Sequence, residues 1–259
     1  MQGVFENFLL QGENSVMDNS GLAFEAAEIL TRKDGIRAVT RTIGDVKITD
    51  VRITSAAAAR VGKRAGRYIT LEGEPSAAGM TALFCRALMQ VIPPRGRLFA
   101  AGLGNPDITQ DSLGAATVRA ITARNGRRYS LSAIETDVAV KTGLDTARLI
   151  KAAARELNAD CVIAVDALAC HDPRYIGKTV QISDAGIIPG GGTAEAREEL
   201  SRGRLGMPIA AVGVPTVTAL SSLTGKLEDK AFLVTTGDVD AVVKMWAEVI
   251  GGGIGSLAK

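Results

Sequence analysis

Apolar residues fall along the chain in two rhythms. Early on, IRAVTRTI, KITDVRIT and RYITLEGE are short, β-branched runs broken at Gly44-Asp45 and Gly66. Runs of this length and composition argue strands, and two of them separated by Gly-Asp argue a hairpin. Ahead of them LAFEAAEILTRK has helical spacing, with Asn19 or Ser20 placed to cap it and Glu25 near its first turn. SAAAARVGK, between the second and third runs, reads as a short helix.

From Ala77 onward strands and helices alternate. Met80 to Val91 is predicted helical, LFAAGLG a strand, Ser112 to Thr122 and Thr142 to Leu157 helices. CVIAVDALA, TVQIS and PIAAVGVP read as strands, and Val239 to Ile250 as a closing amphipathic helix. Strands that stay apolar without alternating are buried on both faces. The pattern therefore predicts a three-layer α/β/α sandwich around a mostly parallel sheet, preceded by an N-terminal β-rich segment. No internal repeat is found.

Composition narrows the function classes. With 46% hydrophobic and 22% charged residues and no run of eighteen apolar residues, the chain reads as globular without a membrane-spanning helix. A formal net charge of +2 calls for neither direct nucleic-acid binding nor an anionic membrane. The basic stretches 60–67 and 124–128 read as solvated loops. The first 21 residues lack the basic start and apolar core of a signal peptide. Three cysteines (Cys85, Cys161, Cys170) without a CxxC pair imply a reducing cytoplasm and no disulfides.

One histidine, His171, serves all 259 residues, so most hydrolytic machinery has no base. Carboxylates are the remaining candidates. Ligands of open parallel sheets bind beyond the carboxyl ends of the strands. Gly102–Gly114, Asp166–Asp172 and Gly213–Thr216 fall there, with the loop Ser183–Thr193 as a fourth wall and Gly190, Gly191 and Gly192 allowing close approach or a hinge. Asp111 reads either as the N-cap of the following helix or as a catalytic acid. Asp166 closes an apolar strand, as a turn former or as its partner. Two carboxyls within hydrogen-bond reach cannot both ionise cheaply, so one would activate water while the other polarises a carbonyl. Asp107 and Asp184 are spare acids near the crevice, placed to orient the pair or to cap turns. Cys170 and His171 are adjacent, which points their side chains apart. No metal-ligand spacing and no cofactor motif appears, so neither is expected.

Several segments together carry a resemblance. LAFEAAEIL, VRITSAAAARVGKRAGRYITLEGE, GLGNPDITQDSLG, CVIAVDALA, TVQISDAGIIPGGG, LGMPIAAVGVPTV and VTTGDVDAVVKMWAEVI, in this order, resemble the germination (spore) protease family of endospore-forming bacteria. The resemblance implies an atypical aspartic endopeptidase that degrades the small acid-soluble, DNA-coating proteins of the spore core. It implies synthesis as an inactive homotetrameric zymogen that trims its own N-terminus, without a metal. It places the catalytic aspartates on Asp111 and Asp166, with Asp184 and Gly190–Gly192 shaping the cleft. The fold implied is phosphorylase/hydrolase-like, akin to the hydrogenase-maturation proteases.

The family cuts before an apolar residue in sites of the form acidic–apolar–Ala–x–Glu. Leu22-Ala23-Phe24-Glu25 fits the far side, with Gly21 where the acid belongs. Residues 1–21 are thus expected to be a propeptide cut between Gly21 and Leu22, and 22–259 a single peptidase domain. Departures include a missing C-terminal insertion after GVPTV, DALACHDPR in place of a DALASR-type run, and Ile188 in place of a histidine. Glu195 and Ala196 also stand where the family has Asn and Lys. Two alternatives stay open: a metal-dependent processing peptidase on the same fold, and a non-catalytic protein that binds spore proteins.

Overall fold

Gly44 and Asp45 close a two-residue turn between β1 (Ile36–Ile43) and β2 (Val46–Ile53), with Ile43 paired to Val46. Gly44 takes φ +57°, the left-handed setting such a hairpin turn demands. The structure is a computed structural model describing residues 21–25, 35–188, 199–226, 228–229 and 232–259. The expected caps Asn19 and Ser20 lie outside the described residues. A short helical turn, Ser55–Ala58, links β2 to β3 (Gly66–Glu72), which pairs antiparallel to β2.

Alternation of helix and strand then builds the centre. α1 (Met80–Leu88) leads to β4 (Gly96–Gly102), α2 (Leu113–Ala120), the two-residue β5 (Arg124–Asn125) and β6 (Tyr129–Glu135). α3 (Thr146–Glu156) precedes β7 (Cys161–Cys170), followed by β8 (Thr179–Ser183), β9 (Ile209–Ala219), β10 (Leu233–Val234) and α4 (Val239–Leu257). The sheet runs β1-β2-β3-β8-β9-β7-β4-β6-β5, with β10 on β9.

The parallel part is the central block β9-β7-β4-β6. Around it the sheet is mixed, since β8 is antiparallel to both β3 and β9. Connection length explains the reversal. Only residues 171–178 separate β7 from β8, too few for a crossover that would return the chain in the same direction. The β-rich N-terminal segment is therefore an antiparallel wing of the same sheet.

Period-two alternation divides the core. Leu98, Ala100, Ile163, Val165, Val212 and Val214 face a layer built on α1, α2 and α4 with Phe84 and Trp246. Phe99, Ala101, Val162 and Ala164 face α3 through Ile150 and Ala154. Burying a side chain such as Ile150 or Phe84 stabilises by about 1.5–3 kcal/mol. Trp246 is fully buried and its indole N–H donates to the Gly177 carbonyl at 2.8 Å.

Three boundaries differ from the expectation for physical reasons. α3 starts at Thr146, because Asp145 caps it through the Arg148 N–H at 2.8 Å while Gly143, at φ +69°, ends a separate turn. α4 continues through Gly251–Gly253 to Leu257, because close packing replaces propensity. A Cβ on Gly253 would lie 2.5 Å from the Phe84 ring. β6 went unpredicted because YSLSAIE mixes polar and small residues. Among the described residues no helix is long and apolar enough to cross a membrane.

Candidate active site

Alternation fixes what stands on the α3 side of the sheet. Val162 and Ala164 point there, and Asp166 follows two residues on. In the neighbouring strands Gly213 pairs with Asp166, and Gln181 with Gly213. Asp166 is only 1% exposed, and its Oδ1 accepts the Ala167 N–H at 3.0 Å. A carboxyl withdrawn from water this far is costly unless neighbours satisfy it.

Asp111 arrives from the loop beyond β4. The β4 exit is tied to β7 by the Leu103 N–H donating to the Val165 carbonyl at 2.8 Å. A 3-10 turn, Thr109–Asp111, follows, and the Thr216 hydroxyl of β9 anchors it on the Gln110 carbonyl at 2.6 Å. Asp111 Oδ2 accepts the Asn105 N–H at 2.7 Å. The N-cap reading of Asp111 is overturned: Ser112 occupies that position, and α2 has no side-chain cap. The 3-10 turn moves Asp111 one residue too early to cap, and its carboxylate turns back into the loop.

Both aspartates line one cavity of about 540 Å³. Ile108, Ile187, Ile188 and Leu168 supply apolar wall, and Lys63 and Arg64 bring positive charge to it. Arg64 is ion-paired with Glu199. The Tyr68 hydroxyl donates to the Arg64 carbonyl at 2.9 Å. Burial, partly offset by Arg64, pushes the Tyr68 phenol up to about 12, so it stays a neutral donor. Such a cavity offers two carboxyl groups for proton transfer, cationic side chains for an acidic substrate, and walls that limit water.

Other expected residues fall elsewhere. Asp184 is exposed and absent from the cavity lining, in contrast to its expected cleft role. Its Oδ1 accepts the Arg67 N–H at 2.7 Å, because the β3–β8 pairing ends there and leaves that donor to be satisfied. Asp107 is drawn outward by Lys141 at 2.6 Å. Ser183, Gly186, Ile187 and Ile188 form the described part of the fourth wall; Gly190, Gly191 and Gly192 lie outside the described residues. The Cys170 thiol is buried and pushed up to about 12 by that burial, and His171 contacts Ser222 Oγ at 3.5 Å, away from the cavity. Among the described residues no cluster of three His, Cys, Asp or Glu is arranged to hold a metal ion.

Sequence reasoning missed Gln181 and Tyr68. Gln181 is 6% exposed inside TVQIS, and a polar residue within an apolar strand is the signal by which it could have been found. Gly21 and Leu22 are both described. Gly21 lines the cavity, and Leu22 is fully buried beside it.

The chain is similar in sequence to known proteins. The sequence profile described as germination protease matches residues 17–230. The germination protease of Priestia megaterium is 34% identical over 208 residues, covering 71% of this chain and 56% of that protein. That of Bacillus pumilus is 32% identical, covering 76% and 62%. That of Clostridium acetobutylicum is 29% identical, covering 90% and 80%. The chain thus spans well under two thirds of the Priestia relative. A hydrogenase maturation protease from Thermococcus kodakarensis overlays with a TM-score of 0.40 at 16% identity, over 65% of this chain and 98% of that one. The profile match takes in both aspartate-bearing segments and the strands that carry them, and this chain belongs to the germination protease family.

Proposed function

We propose that the chain is an aspartic-type endopeptidase acting on small acid-soluble spore proteins, with Asp111 and Asp166 as its acid–base pair. The observation that carries this reading is their shared cavity, which draws Asp166 from the sheet floor and Asp111 from the β4 loop. One carboxylate takes a proton from water as the hydroxide oxygen bonds to the peptide carbonyl carbon. The protonated partner donates to the carbonyl oxygen. Collapse of the tetrahedral intermediate breaks the C–N bond, the amine leaves with a proton, and the carbonyl re-forms as a carboxylic acid. Neither a metal nor a covalent acyl-enzyme is needed in this scheme.

The same reading extends to synthesis as a zymogen that cuts itself between Gly21 and Leu22, to a homotetramer, and to work in the spore cytoplasm. The burial of Leu22 next to the cavity supports the first of these. Asp111→Asn and Asp166→Asn are each expected to lower cleavage of a purified small acid-soluble spore protein by roughly 10²–10⁴-fold. Cleavage at the wild-type rate by either variant would remove it from the pair. Intact mass after incubation at mildly acidic pH tests self-processing: full-length protein that cuts substrate without shortening would end that part of the reading.

A further inference from the structure

Three arginines stand in one row across the antiparallel wing. Register sets Arg37 of β1 opposite Arg52 of β2, and Arg52 opposite Arg67 of β3, so all three side chains leave the same face of the sheet. With strands about 4.8 Å apart, the row spans roughly 10 Å. Like charges directly opposite one another work against the strand pairing that carries them. Arg67 is turned along the face by Asp50, whose carboxylate accepts from its Nε at 3.0 Å and its Nη2 at 2.7 Å, and by Gln90 Oε1 at 2.6 Å. Arg37 and Arg52 are exposed. An anion laid across the row would relieve the repulsion between them.

The same face holds a hollow. Val46, Ile48, Ile69 and Leu71 belong to the apolar layer under α1, whereas Val51, Ile53 and Tyr68 belong to the cluster on the reverse of the wing. Between wing and α1 lies a cavity of about 230 Å³, walled by Ile43, Ile48, Ile69 and Leu83. Arg41 of β1 and Arg86 of α1 bring positive charge to it from the two elements. Both are exposed, as are Val39 and Ile43. Five arginines thus share this surface with Asp50 set among them, although the whole chain carries a formal charge of only +2.

These features select a ligand. The charge calls for an anion, and the planar guanidinium fork matches a carboxylate bidentately. The hollow is smaller than the about 300–1,000 Å³ of small-molecule sites and suits one apolar side chain. Nucleic acid is the other polyanion, but single strands are held on aromatic platforms, and this surface offers the aliphatic Val39, Ile43 and Leu83. A second copy of the chain, joined through the same patch, would set arginine against arginine.

We propose that this face docks an acidic, extended segment of a partner protein. One apolar side chain fills the hollow, and carboxylates beside it meet Arg41 and Arg86. A further carboxylate about four residues on meets Arg37 and Arg52, matching the spacing of Arg41 from Arg37 along β1. The surface lies on the α1 side of the sheet and Asp166 on the α3 side, so the proposal goes beyond the endopeptidase reading and does not depend on it.

Fluorescence anisotropy of the full chain with a fluorescein-labelled peptide, Ser-Glu-Leu-Glu-Ser-Ser-Glu-Ser, tests it. The probe is expected to bind, and more weakly as salt rises from about 0.05 to 0.3 M. Arg37→Glu with Arg52→Glu is expected to weaken binding by about tenfold or more. Replacing the probe's Leu by Ser is expected to cost about tenfold as well. Arg41→Ala with Arg86→Ala gives a similar loss, and serves if the charge-reversed chain fails to fold. No binding to wild type, or equal affinity in wild type and a folded double variant, overturns the proposal. Tighter binding of a labelled oligothymidylate of matching charge would give the face to nucleic acid instead. Self-association in sedimentation velocity that Arg37→Glu with Arg52→Glu abolishes would give it to a second copy, and either result overturns the partner segment.

Discussion

Asp166 and Gln181 stand in one row of the sheet, two strands apart, with Gly213 between them. Adjacent strands lie about 4.8 Å apart, so their Cα atoms are separated by roughly 10 Å. Gly213 contributes no side chain between them, and Leu168 packs over it. At the far end of this row Gln181 Nε2 donates to the Gly21 carbonyl at 2.9 Å.

Gly213→Ala puts a methyl into this row, 2.5 Å from the Cγ and Cδ1 of Leu168. Leu168 must then tilt toward the place occupied by Gly21. Displacements of this size at a reacting centre cost on the order of 10²-fold, so kcat/KM on a spore protein is expected to fall by about that factor. Leu168→Ala in the same chain makes room and recovers most of it. A double variant no better than Gly213→Ala would show that the methyl acts some other way.

Gly104 holds Asp111 in place. It takes φ +95°, and a Cβ there would come within 2.1 Å of the Asp111 carbonyl oxygen and 3.0 Å of its Oδ1. Backbone strain of this kind costs about 1–3 kcal/mol, and the contact pushes the loop outward. Gly104→Ala is expected to lower the thermal midpoint modestly while reducing cleavage far more than the stability loss explains. Wild-type kcat in a chain that melts a few degrees lower would refute the positioning role.

Alkaline pH is expected to loosen the fold. Burial pushes the thiols of Cys161 and Cys170 up to about 12, and the Tyr68 phenol up to about 12 as well. In an unfolded chain such groups titrate near 8.5 and 10. Above those values the unfolded chain has released protons that the native chain still holds, so stability falls with rising pH. Their contribution is complete below about pH 8 and is lost progressively toward pH 12. Thermal midpoints should decline from about pH 9, and Cys161→Ala should flatten the decline. An unchanged slope in a Cys161→Ala, Cys170→Ala double variant would count against this origin.

What the chain reveals by itself divides along physical lines. CVIAVDALA declares a buried strand because nine residues carry a single charge, and the GLGN segment declares a loop at a strand end. Strand direction is another matter. TVQIS reads equally well parallel or antiparallel, and only the short link from β7 decides it. Asp111 reads as a cap but is not one, because a 3-10 turn, which leaves no periodic trace in three residues, shifts the helix start to Leu113. Asp184 reads as a cleft acid, but its carboxylate accepts the backbone N–H of Arg67, 117 positions away. Gln181 is the hardest case: it is neutral, isolated in an apolar strand, and defined by partners 158 and 160 positions away.

Those separations set an order of events during synthesis. The segment Gly21–Glu25 leaves the ribosome early, but Gln181 and the His171–Asp172 amides that receive it are made about 150 residues later. At 5–20 residues per second, that is a delay of roughly eight to thirty seconds. Until β7 and β8 are both in the sheet, the early segment has nowhere to dock. Docking of residues 21–25 thus reports that the cavity is finished, and any cut made at that bond is timed by completion of the fold.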